Sequence, residues 1–345
     1  LKLLSHRAPG SALLIISFLA LSLPAVSSDA AHRTQQTSNA VAQATRSTSP
    51  AARKLTVTVI GANGGFMAGL TRDSFAVFEG KSQHEINYFE HADTPISVGV
   101  IVDVSGSVGR QTIEAARRAA MQFVEQSHAE NEYFIGEFGN VPRGLVDWTR
   151  DRQAIAEGLS KLATGNGAKQ KAEPKGQTAL YDSCAAALEK MAGATHPKRA
   201  ILLVGDGGGD NNSKRSFLDL KRRLRDSDVL MYAVNINTVR NLSTVDIASQ
   251  AIIDELTKVS GGKAYFVDNE KETAEAVKLV AMELRYQYVI GFTPPEDTGR
   301  GEWKKVKIKL TLPGTSTRNI VVRSREGYFS TPPPRANAPS KLLPE

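Results

Sequence analysis

From Ile96 to Leu284 the chain alternates short apolar runs with amphipathic stretches, and no other feature restricts its fold as tightly. The runs Ser97–Val102, Tyr133–Phe138, Ala200–Val204, Val229–Asn235 and Ala264–Val267 are short and almost continuously hydrophobic. That pattern suits parallel strands covered on both faces better than half-exposed strands, which alternate apolar with polar. Between the runs, segments at about Thr112–Ser127, Arg152–Leu162, Ala179–Met191, Lys214–Arg225, Ile247–Val259 and Thr273–Leu284 repeat their apolar residues at helical spacing. Residues 95–285 are therefore expected to form an α/β domain with a doubly wound, mostly parallel sheet.

The flanks read differently. Residues 54–93 hold the β-rich runs Leu55–Ile60, Phe75–Glu79 and Glu85–Phe89, and residues 286–330 hold Tyr286–Thr293, Trp303–Leu310 and Asn319–Ser324. Neither flank is large enough to bury a core alone. Together they supply about six strands, enough for one sandwich. The α/β domain is thus expected as an insertion into a single accessory β-sandwich-like domain, with two separate β extensions as the alternative. Residues 29–53 lack hydrophobic periodicity and read as a disordered linker, and 331–345 as a loose Pro-rich tail.

At the N-terminus, Lys2, His6 and Arg7 precede an apolar run from Ala12 to Leu23, closed by Pro24, with small residues at Ala25 and Ser27. This is the pattern of a secretory signal over residues 1–28, too short for a bilayer span of about 20 residues. Export, to a periplasmic or extracellular location associated with the cell envelope, follows from it; membrane contact is expected only if the segment stays uncleaved. The single cysteine, Cys184, excludes a disulfide scaffold and thiolate zinc. Its helical spacing with Leu180, Ala187, Leu188 and Met191 places it on a buried face. A net charge of +7 over 345 residues is too weak and scattered to argue for nucleic acid.

Chemistry gathers at three places. Asp103-Val-Ser105-Gly-Ser107 follows an apolar strand and precedes a helix, at the strand's carboxyl end, where ligands bind in open α/β sheets. One carboxylate and two hydroxyls can converge there on a hard cation, although turn and cap preferences explain the same residues. Gly176-Gln-Thr178-Ala-Leu180 sets a hydroxyl at a helix start, and Ile201-Leu-Leu-Val-Gly205-Asp206-Gly207 sets a carboxylate at another strand's end.

D-x-S-x-S, then G-x-T-x-L, then L-L-x-x-D-G, in this order, resembles the von Willebrand factor type A domain, a Rossmann-like fold with a metal-ion-dependent adhesion site. The flanks are similar to those of bacterial exported proteins with a type A-related domain. Leu70-Thr-Arg-Asp73-Ser-Phe75-Ala-Val77-Phe-Glu79-Gly80 precedes it, and Tyr288-Val-Ile-Gly291-Phe292-Thr-Pro294 and Arg325-Glu-Gly327-Tyr328 follow. The resemblance implies that Ser105, Ser107 and Thr178 ligate a divalent cation through their hydroxyls while Asp103 and Asp206 hold waters and hydroxyls beside it. Mg²⁺ is the expected ion, with Ca²⁺ or Mn²⁺ as alternatives, and a protein partner would complete the coordination with a carboxylate. The family often carries Ser before the Asp206 position, where this chain has Gly205.

Other signals carry less. Gly205–Gly209 with Asp210-Asn211-Asn212 lacks the ligand periodicity of an EF-hand, and reads as a turn whose Asp210 or Ser213 caps the next helix. Val59-Ile-Gly61-Ala-Asn-Gly64-Gly65-Phe imitates a dinucleotide fingerprint but is followed by strand-like residues, which favours a hairpin. The basic run Lys214, Arg215, Lys221, Arg222, Arg223 and Arg225 reads as a solvated helix face, and Lys169, Lys171 and Lys175 as a solubilising loop near Thr178. No nucleophile–base pair stands out. The sequence thus points to a non-enzymatic, cation-dependent binding module, with a metal-assisted hydrolase or a structural envelope component as rivals.

Overall fold

The computed structural model describes residues 53–330, apart from 92, 163–176, 208, 237–242, 295–300 and 315. The expected signal segment, nearly all of the linker, the lysine-rich loop and the Pro-rich tail therefore lie outside the described residues; Arg53, assigned to the linker, already belongs to a strand. In chain order the elements are β1 (Arg53–Ile60), β2 (Phe75–Glu79), β3 (Ser82–His84), β4 (Ile86–Glu90), β5 (Ser97–Asp103) and α1 (Arg110–Gln126). Next come β6 (Glu132–Phe138), β7 (Pro142–Thr149), α2 (Arg152–Ser160), α3 (Leu180–Lys190), β8 (Arg199–Gly205) and α4 (Phe217–Asp226). The chain continues through β9 (Val229–Ile236), α5 (Thr244–Ser260), β10 (Ala264–Val267), α6 (Glu270–Arg285), β11 (Tyr288–Phe292), β12 (Trp303–Leu310), β13 (Val321–Ser324) and β14 (Gly327–Phe329).

A six-stranded sheet in the order β10-β9-β8-β5-β6-β7 forms the α/β domain. Every residue of β5, β6 and β9 is buried, as continuous apolar runs in a sheet covered on both faces require. Helix α1 buries Thr112, Ile113, Ala116, Ala119, Ala120, Phe123 and Val124, one stripe at helical period, against the sheet. Five strands run parallel, and β7 closes the edge antiparallel to β6. That edge strand is absent from the sequence reading because it is mostly solvent-facing and starts at a proline, which an edge tolerates. The winding reverses at β5, with β6 on one side and β8 on the other. A crevice for ligands forms at the carboxyl ends of strands on either side of such a reversal.

The flanking strands make two antiparallel sheets, β13-β1-β11-β4 and β14-β12-β2-β3. Each sheet mixes strands from before and after the α/β domain: β1 pairs with β11 and β13, and β12 pairs with β2. One core fills the space between them, from Leu55, Val57 and Val59 across to Phe75, Val77, Val306 and Ile308. Eight strands take part where six were expected; β3 and β14 have three residues each and carry no apolar alternation to reveal them. The flanking motifs meet inside this sandwich. Tyr328 donates to a Glu79 carboxylate oxygen at 2.8 Å, and the Tyr288 hydroxyl accepts from the Leu70 N–H at 3.1 Å. Gly327 is required because a Cβ there would lie 2.1 Å from the Lys304 carbonyl oxygen. Arg325 ties the sandwich to the α/β domain through Asp228 at 2.6 Å and the Arg225 carbonyl at the end of α4.

Candidate functional site

The site is built where the winding reverses. β5 ends at Asp103, β8 ends at Gly205, and the two strands pair in register up to Val102 and Val204. The Asp103 Cβ stands 2.4 Å from where a Gly205 Cβ would be, so only glycine lets the two strand ends approach this closely. Beyond Asp103 the chain turns tightly: Asp103 Oδ1 accepts the Ser105 N–H at 2.9 Å, and the Ser105 carbonyl accepts the Val108 N–H at 2.9 Å. This folds the two serines together, their hydroxyl oxygens 3.3 Å apart. Asp103 and Ser105 are buried, whereas Ser107 faces solvent. Neither serine caps α1, whose N-cap is Gly109. The helix-cap explanation of these hydroxyls is thereby removed, while the turn explanation holds for Asp103.

Thr178 arrives from a different direction and is clamped. The Ala179 N–H donates to the Gly139 carbonyl at 2.8 Å, and Gly139 packs on Ser105, whose Cα is 3.5 Å from a Gly139 Cβ position. From the loop after β8, Asn211 Oδ1 accepts the Thr178 N–H at 2.7 Å, and the N–H groups of Asn211 and Asn212 both donate to the Thr178 carbonyl at 3.1 Å. Asp210 and Ser213 do cap a helix, but not the next one. Asp210 Oδ2 accepts the Tyr181 N–H at 3.0 Å and Ser213 Oγ accepts the Asp182 N–H at 3.0 Å, so both serve the start of α3. Helix α4 is capped by Ser216, which accepts the Asp219 N–H at 3.2 Å. The loop carrying Asp206 is thereby fastened to the start of α3, which follows directly on Thr178.

The electrostatics follow from burial. Asp103 is pushed up to about 7 by its removal from water and then by the negative charge of Asp206, against the Ser105 hydrogen bonds that favour its charged form. Two carboxylates that feel each other's charge, with the Ser105 and Ser107 hydroxyls on the same turn, offer oxygen donors only, the chemistry that suits Mg²⁺ or Ca²⁺. A divalent ion would relieve the repulsion that raises Asp103, so the residues present fit such an ion. Cys184 is buried and pushed up to about 12 by burial and the Asp210 charge, which makes it an inert core thiol.

The demoted signals resolve structurally. Gly61 and Gly65 close a turn in which the Met67 N–H returns to the Val59 carbonyl at 2.9 Å, and only a single 3-10 turn at Arg72–Ser74 precedes β2, not the α-helix a dinucleotide site needs. On α4 and just before it, Arg215 and Arg223 pair with Glu189 and Asp219, and Lys221 with Glu255, a largely neutralised surface. Residues missed by sequence reasoning are Asn211, Gly139 and Asn235, which shape the site from behind. The only signal for them was the Asp210-Asn211-Asn212 cluster, and nothing in the sequence said where it would point.

Residues 98–208 match the family model described as von Willebrand factor type A domain. Among curated proteins no sequence matches the chain. A solved structure of the conserved hypothetical protein BatB from Bacteroides thetaiotaomicron is 15% identical, covering 55% of this chain and 98% of its own, with a TM-score of 0.43. A von Willebrand factor type A structure from Catenulispora acidiphila is 13% identical over 74% of this chain and 75% of its own, TM-score 0.43. The vWF domain of the type V pili tip protein Mfa5 from Porphyromonas gingivalis is 12% identical over 56% and 95%, TM-score 0.42. The matched segment begins on β5 and ends at residue 208, taking in all five candidate residues, and over this stretch the α/β domain is similar to a von Willebrand factor type A domain.

Proposed function

We propose that this chain is an exported, non-enzymatic protein-binding module that captures a partner through a divalent cation, Mg²⁺ first. The observation that supports this best is the convergence of the Asp103–Ser107 turn and the Asp206 loop at one sheet edge, with Thr178 clamped beside them. Ser105, Ser107 and Thr178 would hold the ion through neutral hydroxyls, and Asp103 and Asp206 would orient those hydroxyls and their waters. When bound, the cation supplies a positive centre that neutral ligands leave poorly quenched, and hence an affinity for a carboxylate on a protein partner. Ser107, exposed at the mouth, marks the side from which that partner would approach. Export rests on the signal pattern of residues 1–28.

Calorimetry with Mg²⁺, Mn²⁺ and Ca²⁺, on the protein and on the Ser105→Ala, Ser107→Ala double variant, tests the reading. The wild type should bind and the double variant should not, with circular dichroism unchanged because the substitutions lie on the loop after β5 and leave the strands and helices untouched. A pull-down from envelope extract should then recover a partner with Mg²⁺ and lose it in chelator. A double variant that still holds its partner would move the contact to the sandwich. Turnover of a phosphoester that depends on the ion would establish the hydrolase instead.

A further inference from the structure

Behind the candidate site, at the end of β9, the Asn235 side chain is 2% exposed, and among the described residues neither its Oδ1 nor its Nδ2 has a hydrogen-bond partner. A buried amide in that condition is costly and rare. Asn235 lies beside Gly205 in the sheet register and lines a small space of about 10 Å³ whose wall also includes Asp103, Gly205 and Gly207, with apolar Leu203, Ala233 and Ile253 around them. That volume is the size of one water. Asp103 Oδ1 is already engaged by the Ser105 N–H, whereas Oδ2 lies 3.3 Å from a Gly205 Cβ position, and both residues line this space. Gly207, at φ 72°, would place a Cβ 1.8 Å from Asn235 Nδ2, so the backbone is pressed against the amide and holds it toward the cavity.

We propose that Asn235 is a positioning residue for Asp103, acting through one buried water that accepts from Nδ2 and donates to Asp103 Oδ2. The amide nitrogen finds its acceptor in that water, and the water fixes the second oxygen of a carboxylate whose first oxygen the Ser105 turn fixes. The consequence for the cation rests on the function proposed above; the water and its partners do not.

The test compares the wild type with Asn235→Leu, which fills the space and removes the amide. Oxygen-17 relaxation dispersion should count one fewer long-lived water in the variant, its melting temperature in chelator should fall, and its Mn²⁺ dissociation constant should rise about tenfold, as for other groups that orient metal ligands. Should Asn235→Leu fold poorly, Asn235→Ser against Asn235→Ala serves: serine should retain the water and most of the affinity, and alanine should not. An unchanged water count together with a raised melting temperature would overturn the proposal, since removal of an idle buried amide stabilises. If the wild type binds no Mn²⁺, the adhesion reading fails, and the water count and the chelator melting temperature still judge Asn235.

Discussion

Glu283 sits where the two halves of the molecule touch, and replacing it offers a sharp test of what holds them together. It lies on α6 with 0% exposure. Its Oε1 accepts from the Thr58 hydroxyl of β1 at 2.9 Å, from the Tyr232 hydroxyl of β9 at 2.7 Å, and from the Arg323 guanidinium of β13. Gln287 extends the network by donating to the Tyr232 hydroxyl at 2.9 Å. Burial, then the Glu283 charge, keeps Tyr232 well above its ordinary value, so it remains a donor at any working pH. For Arg323, burial works against the charge, and Glu283 outweighs it. In Glu283→Leu the Arg323 charge, only 17% exposed, would lose its carboxylate. Breaking a buried pair from one side costs about 3–5 kcal/mol. At roughly 2–4 °C per kcal/mol for a chain of this size, the melting temperature should fall by about 6–20 °C. Adding Arg323→Met removes the stranded charge, and the double variant should recover to within about 1 kcal/mol of wild type. Scanning calorimetry on the four proteins of the cycle gives the coupling. A single variant that melts within 2 °C (about 1 kcal/mol) of wild type, or a double variant worse than either single one, would refute the reasoning.

Gly205→Ser should cost about 1–3 kcal/mol through overpacking against Asp103, whereas Gly144→Ser on β7, with open space around it, should be neutral in the same denaturant titration. Asn211→Ala removes the acceptor of the Thr178 N–H; stability should drop by about 1–3 kcal/mol and cation affinity by about tenfold, read by calorimetry. Glu132 supplies the pH test. Burial pushes its carboxyl up, but the hydrogen bonds from the Ser97 hydroxyl and the Thr195 N–H, both 2.6 Å, outweigh it and hold the pKa below the ordinary glutamate value. With the folded value lowered, its contribution is complete above the unfolded value and is lost as pH falls through the folded one. Denaturant midpoints measured from about pH 6 down to about pH 3 should show this acid loss in the wild type and a shallower one in Glu132→Gln.

The α/β sheet was legible because its information is local. A run such as Val98–Val102 is buried on both faces whatever its neighbours are, so composition alone assigns it. The edges were not legible. Strand β7 is chosen by β6, whose buried Glu137 needs the Arg143 guanidinium across the ladder, and no property of residues 142–149 taken alone announces that pairing. The same division runs through the site. Asp103, Ser105, Ser107, Thr178 and Asp206 stand in motifs with fixed spacing and could be read in order. Asn211, through its side-chain Oδ1 on the Thr178 N–H, and Gly139, through its carbonyl on the next N–H at Ala179, are brought to Thr178 only by the crossover from β6 and the loop after β8.

A metal-site motif therefore specifies ligands but not their rigidity, and in this chain rigidity comes from small or amide residues. Gly205 permits the approach of Asp103, and Asn211 fixes Thr178. Each is silent in a sequence because its role is to leave room or to bond to backbone. Substituting a ligand hydroxyl should abolish cation binding outright, while substituting one of these supports should weaken it by about ten- to a hundredfold and leave stoichiometry at one ion. A titration series in which Asn211→Ala behaved like Ser105→Ala, losing binding altogether, would show that Asn211 is itself a ligand and that the division drawn between holding and supporting residues is wrong.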